Sequence, residues 1–470
     1  MVRFGLERIG EDIMDSLSAR RLELEELQRK ISEAKRTHDI VTPNLHLPGL
    51  PVELITEVFF LSTEMDPTFP TVACCVSSRW RSIALSTPYL WQSVILSHRN
   101  PVKKLMLWTK RSKYRITSLQ IRDTISWLQL HDAIQVCEPI LKSLKSIHCV
   151  GDVQLLITMF LGIPNVLQHL DVEDISLSST LMGNYTYYTL SPFVPQDRMS
   201  RARSLYLDNI RVDFSLVAPQ LSQLRILVVR GELDTLRLET ICGLLSRNSQ
   251  IEKLILDTRS PLISDHIPNA DRIVLSRLSH LELLGPVFTE SLLARLSVPS
   301  LERFAISRCS VSADQVILAL EPSYVALVEL SIKTCYFKED CLASFLKTMS
   351  RLTKLEITHS ASNINAVVDA VAGTHQIDGQ TKLVCPALKH VDFSHCTNLN
   401  GGPILRLVKS RLTESGDGPS QMAAPTRIET VYMDGCPNID PSLPPWLKTT
   451  VSNVSCIYMT KKEAKQVRQY

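Results

Sequence analysis

A short apolar pattern recurs along most of this chain and constrains its fold more than any other feature. Each copy has an apolar residue, two others, a second apolar residue, one other and a third apolar residue; clear copies read LSHLEL, LERFAI and LTKLEI. Most successive copies begin 19 to 30 residues apart, the spacing of a repeat built from one strand and one return segment. The copies begin at Ile116, Leu144, Leu167, Ala202, Leu221, Ile251, Leu278, Leu301, Leu327, Leu352, Leu388 and Ile428.

The ninth position of four copies is cysteine, at Cys309, Cys335, Cys396 and Cys436. With the spacing, this resembles the cysteine-containing leucine-rich repeats, over residues 116–458. The resemblance implies an α/β solenoid in which each unit is a strand followed by a helix or an irregular arc. Apolar-faced segments predict the helices, and these begin at Leu236, Ala313, Glu339 and Ile364.

Three intervals are too long for a plain repeat and predict insertions, at Ser178–Ser200, Gly373–Pro386 and Thr413–Thr426. The last of them has the composition of a loop. Residues 459–470 follow the repeats, are mainly basic and predict a solvated tail or end cap.

Residues 46–98 have the pattern of a small helical module. Leu54, Ile55, Val58 and Phe59 fall on one stripe of a helix that we expect to begin at Pro51. A second helix is expected to carry Val76, Trp80, Ile83 and Ala84, before a strand-like WQSVIL segment. The sequence therefore predicts two helices broken near Pro67 and Pro70.

This module resembles the F-box, and in particular the form common in fungal proteins. The matching stretches are Leu50–Ile55, Val58–Phe59, Cys75–Val76, Arg79–Arg81, Ala84–Pro88 and Leu90–Trp91. The resemblance implies that the module binds a Skp-family adaptor and, through it, a cullin. The residues that the resemblance assigns to adaptor binding are Leu50, Pro51, Leu54, Ile55, Val58, Phe59 and Trp80.

Two helical segments flank the module. Residues 1–41 have apolar residues seven apart and predict an amphipathic helix that either packs on its own chain or self-associates weakly through residues 9–31 as a short coiled coil. Residues 99–115 predict a basic connecting helix whose apolar side includes Val102, Leu105 and Met106. Its basic side, with Trp108 and Tyr114, is a solvated face, a site for an acidic protein or, least favoured, a site for nucleic acid.

Side chains at the third, fifth and seventh positions of the repeats should face outward on the concave wall of the solenoid. A polar wall keeps such a sheet soluble, and the same residues are candidates for binding a protein substrate. These candidates are Asp171, Glu173, Tyr206, Asp208, Arg225, Lys253, Asp257, Glu282, Arg303, Lys333, Lys354, Tyr432 and Asp434.

The sequence contains little that predicts catalysis. No phosphate-binding loop, zinc-protease or nucleophile-elbow motif is present, and His131, Asp132 and Cys137 form only a weak hydrolase-like trio. We expect no metal or other cofactor. A net charge of +3 predicts no general attraction to nucleic acid or membrane, and the absence of an apolar membrane span predicts a cytoplasmic or nuclear protein.

The resemblances together imply a non-catalytic substrate receptor of a cullin-RING ubiquitin ligase of the SCF type. The F-box would bind the adaptor and the repeats would bind a protein marked for ubiquitin-dependent degradation. The alternatives are a leucine-rich repeat scaffold or inhibitor without any link to ubiquitin and, more distantly, a hydrolase.

Overall fold

A computed structural model describes the following residues: 26, 29–30, 50–122, 125–126, 128–129, 132–133, 140, 143–151, 173–179, 202–209, 218–231, 237–258, 272–285, 292–308, 320, 326–377, 380–412 and 426–457. The chain divides into two compact units, Met1–Leu90 and Trp91–Tyr470. The boundary lies before the strand-like segment, so residues 91–98 belong to the second unit and not to the predicted module.

The described part of the first unit is helical. Its helices are α1 (Val52–Met65), α2 (Phe69–Val76) and α3 (Ser78–Ser86). The single second helix predicted from the sequence is wrong, because Ser77 has extended backbone and its side chain accepts a hydrogen bond from the Trp80 N–H, which caps α3. Pro51 also precedes α1 instead of beginning it.

The second unit contains a long parallel sheet. In the described residues its strands are β1 (Ser93–Leu96), β2 (Ser118–Ile121), β3 (Ser146–Val150), β4 (Asp174–Ser178), β5 (Ser204–Asp208), β6 (Ile226–Gly231), β7 (Lys253–Thr258), β9 (His280–Leu284), β11 (Arg303–Ser307), β12 (Glu329–Lys333), β13 (Lys354–Thr358), β16 (His390–Asp392), β17 (Thr430–Tyr432) and β18 (Asn453–Ser455). Each strand pairs with the next strand in this order, as in a leucine-rich repeat solenoid.

Each strand begins at the third position of a repeat, and this register corrects two predicted repeats. The pattern that carries β4 begins at Val172 instead of Leu167, and the pattern that carries β6 begins at Leu224 instead of Leu221. In both places two overlapping stretches of sequence satisfy the pattern, and only pairing with the neighbouring strands decides between them. Two further repeats, beginning at Trp91 and Val451, supply the end strands β1 and β18.

Side chains at the fourth and sixth positions form the core beneath the sheet. Leu281, Leu283, Phe304 and Ile306 are examples, and all four are buried. The third, fifth and seventh positions lie on the opposite face, which we call the polar face. The strand periodicity predicted from the sequence is therefore confirmed in these strands.

The chain leaves many of the strands through a recurring turn at the eighth and ninth positions. The eighth residue has a positive φ in repeats that place Gly231, Gly435 or Asn209 there, as well as in others that place a larger residue there. Cys396 and Cys436, at the ninth position, are buried and donate to carbonyls of the preceding repeat, Ile357 and Phe393. In these repeats the ninth residue is thus a buried thiol that links the turn to the repeat before it.

The described helices of the second unit are α4 (Pro101–Arg111), α5 (Leu238–Arg247), α6 (Glu339–Leu346), α7 (Ile364–Ala372), α8 (Gly401–Ser410) and α9 (Leu443–Thr450). Helices α5, α6 and α7 confirm three predictions, whereas the helix expected from Ala313 lies outside the described residues. Helices α8 and α9 were not predicted, because Gly401, Gly402 and Pro403 or Pro444 and Pro445 stand in their first turns.

Two small sheets complete the described part of the second unit. Strands β8 (Ile273–Val274) and β10 (Leu296–Ser297) pair in parallel, and β14 (Thr374–Ile377) and β15 (Gln380–Leu383) form an antiparallel hairpin. The hairpin accounts for the insertion predicted at 373–386. The predicted tail and nearly all of the other two insertions and of residues 1–41 lie outside the described residues.

Candidate functional site

Four of the predicted substrate-binding residues lie around one groove on the polar face, one each on β9, β11, β12 and β13. Arg303, Lys333 and Lys354 line the same groove as Glu282, and its volume is about 330 Å3. The fifth positions of β9, β11, β12 and β13 are in register and place Glu282, Ala305, Ser331 and Glu356 in one row. The groove is open at its centre because the two middle residues of this row are small.

Ion pairs surround the small residues of the groove. Arg303 Nε lies 3.3 Å from Glu329, and Lys333 Nζ lies 2.6 Å from Glu356. Glu356 also accepts a hydrogen bond of 3.0 Å from the Ser331 hydroxyl and lies 3.9 Å from Lys354. These cations are therefore held in place by carboxylates of neighbouring strands.

Two further groups border the same groove. His280 Nε2 lies 2.6 Å from Glu282 on the same strand. Arg308, which the sequence did not single out, lines the groove and forms an ion pair with Asp257. Asp257 was predicted as a binding residue, and its role in the structure is to hold Arg308 across the intervening strand β9.

The remaining predicted wall residues lie on the polar face away from the groove. Tyr206 is half-buried, and burial, with a smaller contribution from Asp174, raises the pKa of its hydroxyl. Asp208 accepts a hydrogen bond of 3.2 Å from Ser178. Lys253 occupies a third position on β7.

At the far end of the sheet, Tyr432 is exposed at a fifth position. The neighbouring Asp434 accepts hydrogen bonds from the Ser455 hydroxyl and the Ile457 N–H. Because this carboxylate is occupied by its own chain, the exposed ring is the stronger binding candidate at this end.

Two predicted wall residues lie elsewhere, and this part of the prediction is wrong. Glu173 and Arg225 occupy second positions, in the turns just before β4 and β6, where their backbone groups link successive repeats. There they form ion pairs along the edge of the sheet: Glu173 with Lys145 and Arg203, and Arg225 with Glu252. A search for opposite charges at successive second positions would have found these pairs once the register of the strands was known. Asp171 lies outside the described residues.

The module separates its predicted adaptor-binding residues into two groups. Ile55 and Phe59 are buried, and Phe59 packs against Phe69 and the half-buried Trp80, so these side chains build the module's core. Leu50, Pro51, Leu54 and Val58 are exposed. The single stripe predicted from the sequence is therefore two stripes on the same helix: a buried one with Ile55 and Phe59, and an exposed one with Leu54 and Val58.

The exposed apolar stripe runs the length of α1. Leu54, Val58, Leu61 and Met65 are spaced at intervals of four, three and four residues, which places them on one side of the helix. All four are exposed, as are Val72 and Val76 on α2. Sequence reasoning missed Leu61 and Met65 because the residues of this helix that match the F-box end at Phe59, although the spacing of the two residues continues the stripe.

The basic helix α4 buries Trp108, one of the two aromatic residues that made this segment a candidate for nucleic-acid binding; the other, Tyr114, is exposed just after the helix. Trp108 lies in the core and donates from Nε1 to the Ser93 carbonyl, 3.0 Å away. Arg111 lies over the Trp91 ring, and Lys104 lies 5.0 Å from the centre of the Trp108 ring. Met106, predicted to face inward, is exposed. The helix keeps its basic outer side but has no exposed Trp108 on which a base could stack.

The described residues present no cluster of metal-ligating side chains. His131 and Cys137 of the weak hydrolase-like trio lie outside the described residues. Within the described ranges, no three His, Cys, Asp or Glu side chains come close enough to hold a metal ion. In the same ranges, no helix combines the length and apolar character needed to cross a bilayer.

No family model matches the sequence, and no curated protein matches it. Several solved structures do. The yeast Rad7 and Elc1 complex matches at 14% identity and a TM-score of 0.44, covering 94% of this chain and 98% of that chain. The TLR13–ssRNA13 complex matches at 12% identity and a TM-score of 0.34, and the match covers 73% of this chain and 52% of that chain. The leucine-rich repeat protein LegL7 from Legionella pneumophila matches at 12% identity and a TM-score of 0.30, and the match covers 70% of this chain and 92% of that chain.

Proposed function

We propose that this chain is a substrate-receptor subunit of a cullin-RING ubiquitin ligase. Its module binds a Skp-family adaptor, and its repeats bind the protein to be modified. The chain itself makes no covalent bond; it raises the concentration of substrate lysines near the ligase-bound conjugating enzyme. Such a receptor works in the cytoplasm or the nucleus.

The observation that carries this proposal is the exposed stripe of Leu54, Val58, Leu61 and Met65 on a module whose sequence resembles an F-box. Contiguous exposed apolar side chains are costly in water and are typical of protein-binding surfaces. The core is supplied by Ile55 and Phe59, so the stripe is free to serve a partner without unfolding the module.

The test is binding of the full chain to a purified Skp-family adaptor by isothermal titration calorimetry. Leu54→Asp combined with Val58→Asp places two charges on the stripe, where the side chains are 54% and 53% exposed. We expect the affinity to fall by about 100-fold, because each change removes an apolar contact and buries a charge at the interface.

A matched control is Leu128→Asp combined with Val274→Asp. These residues are 72% and 56% exposed and lie in the second unit, so the chain gains the same charge at similar side chains. The control should bind the adaptor as the unchanged chain does. Equal affinities for all three proteins, or no adaptor binding by the unchanged chain, would refute the proposal and favour a scaffold without a link to ubiquitin.

A further inference from the structure

The groove on the polar face has a floor of small side chains. Its floor consists of Ala305 and Ser331, which pair directly across β11 and β12, with Ser307 beside them. The next residues of the same row are the larger Glu282 and Glu356. The missing side-chain volume leaves about 330 Å3, room for one side chain of a partner.

Most of the charged side chains around this floor pair one to one, but two lysines share one carboxylate. Arg303 pairs with Glu329, Arg308 pairs with Asp257, and His280 lies against Glu282. Lys333 and Lys354, however, share the single carboxylate of Glu356. The longer of these two contacts, 3.9 Å, is the one to Lys354, so this ammonium is the more weakly neutralised of the pair.

Arg308 borders the same floor. It occupies the eighth repeat position, where the backbone turns with a positive φ in several repeats, and its own φ is 56°. Its guanidinium lines the groove and pairs with Asp257, so this cation is already neutralised. Lys333 and Lys354 are therefore the cations in the groove that a partner's carboxylate can meet.

We propose that this groove is an anchor pocket for a single aspartate or glutamate side chain in an extended segment of the protein substrate. The inference rests on the proposed substrate-receptor function. The acidic side chain lies over Ala305 and Ser331, and its carboxylate meets Lys354 and Lys333. One negative charge complements the two ammonium groups that share Glu356, whereas a phosphorylated side chain would bring almost twice that charge beside Glu282 and Glu356.

The test begins with a random twelve-residue peptide library displayed against the full chain. Selected peptides should share one acidic position. Synthetic versions of the best peptide, with Glu, Gln, Lys or phosphoserine at that position, are then compared by fluorescence anisotropy. We expect the Gln and Lys versions to bind at least about tenfold more weakly than the Glu version, and phosphoserine to bind no better than Glu.

Variants of the pocket locate the binding. Ser331→Arg fills the floor, and Lys354→Gln removes one of the two exposed ammonium groups that share Glu356, so at least one of them should leave the fold intact as judged by thermal unfolding. Each should weaken the Glu peptide by about tenfold or more. Lys389→Gln is the matched control, because Lys389 is a similarly exposed lysine that pairs with Glu429 outside the groove, and it should bind like the unchanged chain.

Several results would overturn the proposal: no selected peptide, no acidic position, tighter binding of phosphoserine, or equal binding by the folded pocket variants and the control. The Leu54→Asp plus Val58→Asp chain separates this proposal from the proposed function. This variant should still bind the peptide while it loses binding to the adaptor. Adaptor binding therefore tests the proposed function, and peptide binding tests the anchor pocket separately.

Discussion

The rings of Phe59 and Trp80 pack edge to face in the module, with their centroids 4.9 Å apart. Phe59 is completely buried, whereas Val58, its neighbour in sequence, is exposed. One turn of α1 therefore divides its apolar residues between the core of the module and a surface that is free to bind.

Phe59→Ala should destabilise the module by about 3–5 kcal/mol, because it removes a buried aromatic ring and leaves a cavity between Phe69 and Trp80. Val58→Ala is the control and should change stability by less than about 1 kcal/mol. Urea unfolding followed by Trp80 fluorescence in a chain whose other tryptophans are Phe measures both. Similar losses for the two variants would contradict the assignment of core and surface.

Arg411→Met should destabilise the second unit by about 2 kcal/mol. The buried guanidinium donates to the carbonyls of Val384 and Cys385, at 2.6 and 2.8 Å, and these acceptors would lose their donor. Burial lowers the pKa of Arg411 to about 10, so it remains charged at neutral pH.

The control for Arg411 is Arg406→Met on the preceding turn of chain. Arg406 is an exposed side chain that pairs with Asp369, and losing such a pair costs about 0–1 kcal/mol. The free energy of unfolding, measured with denaturant, should therefore be clearly lower for Arg411→Met than for Arg406→Met. A smaller loss of stability for Arg411→Met than for Arg406→Met would show that the hydrogen bonds from Arg411 to Val384 and Cys385 do not stabilise the segment after the hairpin.

Asn248→Ala should cost about 2–4 kcal/mol. The buried amide accepts from the Leu224 N–H and donates to the Leu221 and Leu244 carbonyls, all at 2.8 Å, so it joins the end of α5 to the preceding repeat. Asn438→Ala removes one exposed bond to Thr397 and should cost about 1 kcal/mol or less. Thermal unfolding measures the loss of stability in each variant. A loss for Asn248→Ala that is equal to or smaller than the loss for Asn438→Ala would contradict the role assigned to Asn248.

The buried thiols at the repeat turns should resist alkylation. Burial raises the pKa of Cys396 to about 12 and that of Cys436 to about 11, so at pH 8 only about one Cys396 thiol in ten thousand would be ionised. Cys75 is exposed and should react first. Iodoacetamide labelling of the folded chain, read by peptide mass spectrometry, tests this; equal labelling of the three thiols would contradict it.

Acid should weaken the second unit partly through His359. Burial lowers the pKa of this imidazole, the stacked His395 ring and Lys333 lower it further, and Asp392 opposes them. Because the folded state favours the neutral ring, its contribution is present above the unfolded value of 6.5 and is lost as the pH falls below that value.

His359→Asn should therefore reduce the loss of stability between about pH 8 and about pH 5. Asparagine tolerates the positive φ of 54° at this position, which keeps the backbone effect small. Urea midpoints measured across this range give the slope. An unchanged slope in the variant would assign the acid sensitivity to other groups.

Much of the repeat array was predictable because its periodicity is local. Third-to-seventh residues of clear copies such as LSHLEL and LERFAI form strands with the expected alternation, and Cys396 and Cys436 lie in the expected turns. The overlapping copies at Leu221 and Leu224 failed, because both satisfy the same pattern and only strand pairing distinguishes them. Arg225 was consequently predicted to lie on the polar face, whereas it lies in the turn before β6.

The sequence by itself determined that this chain repeats one apolar unit and carries a small helical module before it, since side-chain periodicity is written in neighbouring residues. Tertiary structure decided which apolar residues are core, separating Phe59 from Val58. It also decided that Ala305 and Ser331 meet to form a groove beside Lys354. These residues are brought together by the register of parallel strands, a long-range pairing that no single repeat encodes.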